Sequence, residues 1–499
     1  MSYKVDLSDL ERDGEISLTQ QLAERFSSAI ESGELEPGEK LPPTRRLAED
    51  VGVNHLTAAR VYRRLAELGY VTASVGRGTF VRTLTPAAVS DQGDDWQLYA
   101  LPRRELSYSE QVLADAFELA DEEGMISLAT GWPSPEHYPV SDLARIAGEV
   151  FEEERGKAIS YLGAEGLFAL REQLGLRGER FGFASGPEEI IVTSGAKQAL
   201  SLSTRAILEP GDVAIVESPT FVGVLESIRA TGAQTLGVPV DENGFDVDAL
   251  ERLLARHEVK VVALQTACQN PTGRDLSDDR RERLAALARE RGFFVLEDRV
   301  YSDLRFDAAR TRPLRELAPA HVVYVNSLSK GVGGGLRIGW IACRGPLFER
   351  LAMLKLEDDF HTPTLVQHIA ARYLASGAYD RHLESTLPIY RKRRDALLAA
   401  LDRHLAGEYR ADPPRGGHHV WVTLNRPLDE RALYSEAIRH GVTFVPGGAV
   451  TAERRSQTSF RLSFSLLEPD DLDEGVRRLA RAIREVRRRA RHSRAVPAS

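Results

Sequence analysis

The stretch from Val322 to Arg337, VVYVNSLSKGVGGGLR, decides the fold of this protein. Its apolar and β-branched start predicts a buried strand from Val322 to Asn326. Lys330 follows just past the end of this strand, and a run of glycines then turns the chain before Arg337, seven residues after the lysine. A lone Ser-x-Ser-Lys is a weak signal, because most lysines are solvated surface groups. Its meaning depends on which polar residues stand at the neighbouring strand ends.

Apolar strands alternate with amphipathic helices over most of the chain. The clearest further strands are Glu189 to Thr193, Val213 to Glu217, Lys260 to Gln265 and Phe293 to Glu297. This alternation predicts an α/β fold with a mostly parallel sheet flanked by helices. In such sheets ligands bind outside the carboxyl ends of the strands.

Two of the strand ends offer groups that suit a phosphate and a reactive amine. Ser194-Gly195-Ala196 ends one strand and opens a helix, whose backbone N–H groups and dipole can receive an anion. Ser327 and Arg337 can add a hydroxyl and a guanidinium fork. Lys330 is then the predicted Schiff-base lysine.

Other strand ends offer groups for an aromatic ring. Asn270 can donate to a phenolic oxygen, Asp298 can keep a pyridine nitrogen protonated, and Tyr301 can donate to the ring oxygen. Phe221 is either a core residue or a plate that stacks on the ring. Singly, each has an ordinary explanation as a turn, a helix cap or a core residue. Together, a lysine, an acid and phosphate donors are what pyridoxal 5′-phosphate (PLP) requires.

The first part of the chain has a different pattern. Helices are predicted for Leu18 to Ile30, Thr44 to Asp50 and Asn54 to Gly69, and strands for Tyr70 to Ser74 and Thr79 to Arg82. This is the order of a winged helix-turn-helix. The segment is rich in arginine although the whole chain carries a formal net charge of −9, so a local basic patch is expected to contact DNA. The arginines are Arg45, Arg46, Arg60, Arg63, Arg64, Arg77 and Arg82.

Several motifs of this segment resemble the GntR family, namely Pro37-Gly38, Leu41-Pro42-Pro43-Thr44-Arg45 and Gly76-Arg77-Gly78-Thr79-Phe80. The resemblance implies a winged helix-turn-helix that binds a double-stranded DNA operator. The sequence departs from the family pattern at Pro43, which replaces a common serine, and at Asn54-His55-Leu56-Thr57, which leaves open a different operator. The residues that the resemblance places on DNA are Arg45, Asn54, His55, Thr57, Arg60 and Arg77.

From about Ile126 to Arg484 the chain resembles fold-type I aminotransferases in the strand-end residues described above. The resemblance implies a large PLP domain with a smaller C-terminal α/β subdomain. It also implies that Tyr161 reaches the phosphate in the partner subunit and that Arg461, in Ser459-Phe460-Arg461-Leu462, binds a substrate carboxylate.

A GntR-like segment joined to an aminotransferase-like domain resembles the MocR regulators. We predict a DNA-binding domain over residues 12–83, a linker over 84–107 and a PLP domain over 108–490. The resemblance implies a homodimer, with domain swapping left open, that senses PLP or an amino compound through aldimine chemistry. The candidate effectors are PLP itself, GABA, taurine or another amino acid.

Two alternatives to this regulator remain open. Asn270 and the Asp298 to Tyr301 spacing follow ordinary aminotransferases rather than the more usual MocR forms, so residual transamination is credible. The protein is then an aminotransferase with an attached DNA-binding domain. The other alternative is a PLP sensor without turnover.

Composition excludes several other classes. With only Cys268 and Cys343 among 499 residues, no disulfide framework is expected, and no metal site is predicted. Met1 to Leu10 is polar, and no stretch reaches the roughly 18 apolar residues of a membrane helix. We expect a cytoplasmic protein.

Overall fold

The computed structural model describes residues 18–36, 38–53, 55–67, 70–74, 78–81, 107–120, 122–182, 185–307, 309–452 and 457–495. The chain divides into two compact units, Met1–Glu105 and Leu106–Ser499. Of the predicted linker, 84–107, only Ser107 lies within the described residues.

The N-terminal unit is a three-helix domain with a β-hairpin, as the sequence predicts. Its elements are α1 (Leu18–Glu31), α2 (Thr44–Val51), α3 (His55–Glu67), β1 (Val71–Ser74) and β2 (Gly78–Val81). Leu22, Phe26, Leu47 and Leu65 are fully buried between these elements. The Tyr62 hydroxyl donates to the Pro42 carbonyl at 2.7 Å and so ties α3 to the segment before α2.

The C-terminal unit contains the α/β sheet. Its helices are α4 (Tyr108–Glu118), α5 (Val140–Glu154), α6 (Phe168–Phe181), α7 (Ala196–Ile207), α8 (Val222–Arg229), α9 (Val247–Leu254), α10 (Asp278–Arg291), α11 (Leu314–Leu317), α12 (Pro346–Asp359), α13 (Thr364–Ala375), α14 (Ala378–Leu405), α15 (Glu430–Arg439) and α16 (Pro469–Ala495). Its strands are β3 (Ile126–Ser127), β4 (Ile190–Thr193), β5 (Val213–Ser218), β6 (Gln234–Asp241), β7 (Gly244–Phe245), β8 (Val259–Gln265), β9 (Phe294–Asp298), β10 (Val322–Ser327), β11 (Gly339–Ala342), β12 (Tyr409–Arg410), β13 (His419–Leu424), β14 (Val442–Thr443), β15 (Val445–Pro446) and β16 (Ser459–Ser463).

The large sheet has eight strands in the order β4-β11-β10-β9-β8-β5-β6-β7. Within it β11 and β7 run against their neighbours, and the other strands run in one direction. The side chains of β4 and β10 are all buried, because helices cover both faces. The carboxyl ends of β4, β5, β8, β9 and β10 therefore meet at one edge.

A smaller subdomain follows the large sheet, as the resemblance implies. Its four strands pair antiparallel in the order β12-β13-β16-β15. Leu397 of α14, Val420 of β13, Phe460 of β16 and Leu479 of α16 belong to its buried core. This packing fixes where β13 and β16 present their residues.

Candidate functional site

A cavity of about 560 Å³ opens where the carboxyl edge of the large sheet meets β13 and β16. Most of the predicted cofactor and substrate residues line it. They are Ala196, Phe221, Asn270, Asp298, Tyr301, Ser327, Lys330, Arg337 and Arg461. Residues from well-separated parts of the chain are thus brought to one cavity.

Lys330 stands at the wall of this cavity. Its Nζ donates to the Gly131 carbonyl at 2.9 Å and lies 5.8 Å from the centre of the Tyr301 ring. Burial, reinforced by the positive charge of Arg461, lowers the pKa of Lys330 to about 8. An appreciable share of the neutral, nucleophilic amine is therefore present near neutral pH.

Asp298 ends β9 and is 2% exposed. Its carboxylate accepts from the Gln265 side chain at 2.8 Å and from the Val300 backbone N–H at 3.1 Å. Burial raises the pKa of Asp298 to about 6, so the anion still predominates at neutral pH. A buried carboxylate is stabilised by a positive charge beside it, and the protonated nitrogen of a pyridine ring can provide that charge.

Arg461 enters the cavity from β16. It donates to Asn270 Oδ1 at 3.0 Å and to the Ala129 carbonyl, whereas its buried Nε has no partner among the described residues. Burial lowers the pKa of Arg461 to about 10, which leaves the guanidinium charged at neutral pH. An unpaired buried N–H on a cation fits an anionic ligand such as a carboxylate.

Arg337 lies against the start of α7. Arg337 has a left-handed φ of 51°, which is uncommon for a residue with a side chain. Its Nη2 donates to the Ser194 carbonyl at 2.5 Å, and a Cβ on Gly195 would lie 2.5 Å from the same nitrogen. Gly195 has a φ of 95°, which residues with a side chain rarely adopt, so glycine is favoured where the guanidinium lies against the helix N-terminus. This arrangement suits a phosphate.

The two predicted serines already have protein partners. The Ser327 hydroxyl donates to the Ile338 carbonyl at 2.7 Å, and the Ser194 hydroxyl donates to Asp359 at 3.3 Å. Ser327 lines the cavity, whereas Ser194 and Gly195 do not.

Tyr161 lies outside the cavity of its own chain. It is 86% exposed, and its ring meets His361 edge-on with centroids 5.6 Å apart. That Tyr161 serves a partner subunit stays a prediction.

Three groups at the site went unnoticed in the sequence. Gln265 holds Asp298, the Gly131 carbonyl holds Lys330, and the His419 Nε2 lies 2.9 Å from the Tyr301 hydroxyl. Gln265 is the last residue of β8, so the strand-end rule could have found it. For Gly131 and His419 the sequence carries no comparable signal.

In the N-terminal unit, Arg45 of α2 and Arg60 of α3 are exposed and Thr57 is half-buried. Arg46 forms an exposed ion pair with Asp50 at 3.8 Å, so it is partly neutralised. Asn54, Arg77 and the side chain of His55 lie outside the described residues.

Comparison with known proteins agrees with this geometry. Residues 123–479 match the family of class I and II aminotransferases. The α-aminoadipate aminotransferase LysN of Thermus thermophilus, solved with N-(5′-phosphopyridoxyl)-L-leucine, is 34% identical with a TM-score of 0.70, over 77% of this chain and 100% of its own. The chain belongs to the class I and II aminotransferase family, whose cofactor is PLP.

The N-terminal unit narrows this assignment, because residues 18–81 match the gntR family of bacterial regulatory proteins. Two relatives share both parts. The uncharacterized HTH-type transcriptional regulator YdfD of Bacillus subtilis is 28% identical over 93% of this chain and 96% of its own. The probable rhizopine catabolism regulatory protein MocR of Rhizobium meliloti is 26% identical over 95% of each chain. The protein is of the MocR type, with a DNA-binding GntR domain before a PLP-dependent aminotransferase domain.

Among the described residues, no helix has the length and apolar character that crossing a membrane requires.

Proposed function

We propose that this protein regulates transcription by coupling DNA binding to the capture of an amino compound on PLP. The observation that carries the proposal is the meeting of the Lys330 amine, the Asp298 carboxylate and the Arg461 guanidinium in one cavity. The GntR domain supplies the DNA-binding surface, with Arg45, Asn54, His55, Thr57, Arg60 and Arg77 as its proposed contacts.

Different residues of the cavity are proposed to bind different parts of PLP. Arg337, the N-terminus of α7 and Ser327 would hold the phosphate. Asp298 would keep the ring nitrogen protonated, while Asn270 and Tyr301 would donate to the ring oxygen and Phe221 would stack on the ring. When bound, PLP supplies an electrophilic carbon and a ring that withdraws electrons.

An amino-acid effector is oriented by its carboxylate. Arg461 binds this carboxylate, and Asn270 holds the guanidinium in place at 3.0 Å. Because its pKa is lowered to about 8, a larger fraction of Lys330 is neutral at physiological pH than of an ordinary lysine, and this neutral amine is available to accept a proton. The effector regulates transcription only if it binds one arrangement of the DNA-binding domains more tightly than the other.

We propose that the active unit is a homodimer in which Tyr161 of each chain completes the partner's phosphate site. Its exposure at 86% supports this role, because a tyrosine so exposed is available to a second chain. Exchange of the DNA-binding domains between subunits is compatible with this arrangement and is part of the proposal.

A second candidate function is transamination with the DNA-binding domain as an attachment. The specific observation in its favour is that Lys330, Asp298, Asn270 and Arg461 all line the same cavity, as turnover requires. The two functions differ in whether a keto acid is converted repeatedly.

One experiment tests for the cofactor that both functions need. The absorbance of the purified protein is recorded before and after borohydride reduction, and the site of attachment is mapped by mass spectrometry. We expect PLP on Lys330 in the wild type and none after Lys330→Ala. The matched control is Lys197→Ala, because Lys197 also lines the cavity but pairs with Glu226 at 2.8 Å.

The same samples are then tested for function with a panel of amino acids, GABA, taurine and keto acids. Effector-dependent operator binding that weakens with salt, without multiple turnover, supports the regulator. Sustained turnover without any effect on DNA binding supports the aminotransferase. Absence of bound PLP in the wild type contradicts both.

A further inference from the structure

Two adjacent buried histidines, His418 and His419, have no role in the function proposed above. Their exposed fractions are 0% and 3%, so neither is a solvated surface residue. His419 begins β13 and lines the cavity. A buried polar ring at such a place needs a reason, because burying it without hydrogen bonds is costly.

Among the described residues, the ring of His419 has one hydrogen-bonding partner. Its Nε2 lies 2.9 Å from the Tyr301 hydroxyl, whereas its Nδ1 has no partner among the described residues. The two rings meet edge-on, with centroids 5.5 Å apart. One hydrogen bond therefore accounts for the polar contact of this imidazole.

The ring of His419 has little freedom to turn away. A Cβ added to Gly131 would overlap with His419 Cε1, so the imidazole lies directly against this glycine. The same glycine accepts the Lys330 amine through its carbonyl. The ring of His419 therefore lies between Gly131, whose carbonyl accepts from Lys330, and the hydroxyl of Tyr301.

The direction of the bond decides what Tyr301 can do. If the tyrosine donates to His419, its only hydrogen is used and none is left for a ligand in the cavity. If the Nε2–H of His419 donates to the phenolic oxygen, the hydrogen of Tyr301 can be directed into the cavity. A phenol that accepts one hydrogen bond is also a stronger donor in the next.

We propose that His419 is a positioning residue whose Nε2–H donates to the Tyr301 oxygen. The hydroxyl hydrogen of Tyr301 is then available to donate to the ring oxygen of PLP. This inference rests on the proposed function, because it requires PLP in the cavity.

Burial and the neighbouring charges keep both members of the pair neutral. Arg461 and Lys330 face His419, His418 lies beside it, and burial with these cations holds the pKa of His419 well below its usual range. The imidazole therefore stays neutral and has one N–H. Burial raises the pKa of Tyr301, with Asp298 and Cys268 adding to the effect and Arg461 opposing it, so the phenol stays protonated.

The test is a pH titration of the visible absorbance of PLP bound to the full-length protein. Donation by Tyr301 stabilises negative charge on the ring oxygen, so losing it makes proton release from the bound cofactor harder. We expect His419→Phe to raise the midpoint by about half a pH unit, because Tyr301 can still donate to the cofactor but no longer accepts the N–H that strengthens its donation. We expect Tyr301→Phe to raise it at least as much, and the double variant to add nothing further.

Matched variants separate this role from packing. His418→Phe removes a neighbouring buried imidazole, whose Nδ1 lies 3.4 Å from the Gly131 carbonyl, but leaves the Tyr301–His419 hydrogen bond in place, and we expect a smaller shift. His419→Gln keeps an N–H donor near the position of Nε2 and should restore the wild-type midpoint. An unchanged midpoint in His419→Phe, together with a raised one in Tyr301→Phe, would overturn the inference.

A second measurement on the wild type covers the case in which His419→Phe does not fold. Nitrogen-15 spectra of histidine-labelled protein report which ring nitrogen carries the hydrogen, with His419→Gln used for assignment. A hydrogen on Nε2 supports the inference and a hydrogen on Nδ1 refutes it. If instead the protein does not bind PLP, the wild type shows no cofactor absorbance to titrate, and this outcome is distinct from a wrong role for His419.

Discussion

Burial of individual charged side chains sets the chemistry of the cavity. Burial lowers the pKa of Lys330 to about 8 and that of Arg461 to about 10, and it raises the pKa of Asp298 to about 6. The cavity also contains Arg337, so its cations outnumber this carboxylate. Anionic groups of a cofactor and a ligand would balance this excess, which lowers the cost of keeping the charges buried.

The lowered pKa of Lys330 predicts how PLP capture depends on pH. Because only the neutral amine attacks, the rate at which apoprotein captures PLP should fall about tenfold for each pH unit below the pKa of Lys330. It should level off above pH about 8. Stopped-flow absorbance measures the rate. A rate still rising as pH approaches 10.5, the value of an ordinary lysine, would contradict this assignment of Lys330.

If Arg461 binds the carboxylate of the amino acid, its removal should weaken amino-acid binding but not PLP binding. Arg461→Ala should retain PLP but weaken the spectral response to amino acids by roughly 10- to 100-fold, which corresponds to about 1.5–3 kcal/mol for a charged hydrogen bond. Titration of the cofactor absorbance measures the response. Arg391→Ala, on the exposed face of α14, is the matched control and should leave the response unchanged. Equal responses in both variants would exclude Arg461 from carboxylate binding.

At the scale of elements, helix α4 contributes to the cavity and depends on its first turn. Val112, Ala116 and Phe117 line the cavity from this helix of 11 residues. Ser107 and Glu110 form a capping box, in which the Ser107 hydroxyl accepts from the Glu110 N–H at 3.2 Å and the Glu110 carboxylate accepts from the Ser107 N–H at 2.8 Å. So short a helix is marginal by itself and needs such a cap.

Removal of the cap should loosen α4 without unfolding the domain. Ser107→Ala should cost about 1 kcal/mol and speed amide exchange in α4 about fivefold. Hydrogen exchange read by mass spectrometry measures this locally. Ser141→Ala, at an exposed position in α5, is the control and should leave exchange in its own helix nearly unchanged. Equal exchange of α4 in Ser107→Ala and wild type would mean that packing alone holds it.

At the scale of the whole molecule, the proposed dimer shares its sites between chains. Tyr161 and Phe360 are exposed at 86% and 63% and lie with ring centroids 6.4 Å apart. Large apolar groups exposed together mark a surface for association.

Mixed dimers test this sharing. Tyr161→Ala alone should bind PLP weakly, and Lys330→Ala alone should bind no PLP covalently. A dimer of one chain of each kind should regain one complete site, because the intact Lys330 then faces the intact Tyr161 of the other chain. PLP content after borohydride reduction measures the recovery. No recovery in a verified mixed dimer would place Tyr161 outside the partner's site.

The sequence by itself determined the strand ends that meet at the cavity. Asp298 and Lys330 each follow an apolar strand, and parallel strands end at one edge whatever the details of packing. Local patterns of arginine and glycine likewise predicted the winged helix-turn-helix. Strand positions were recovered to within a residue, for example Ile190–Thr193 where Glu189 to Thr193 was predicted.

Only the tertiary structure decided the contacts between the large sheet and the smaller subdomain. The Lys330 amine meets the Gly131 carbonyl across 199 positions of sequence, and Tyr301 meets His419 across 118. No local periodicity encodes these distances, because the placement of β13 and β16 is set by packing in another core. The physical reason is that hydrogen-bonding patterns along a strand are local, whereas the meeting of two separately packed sheets depends on every side chain between them.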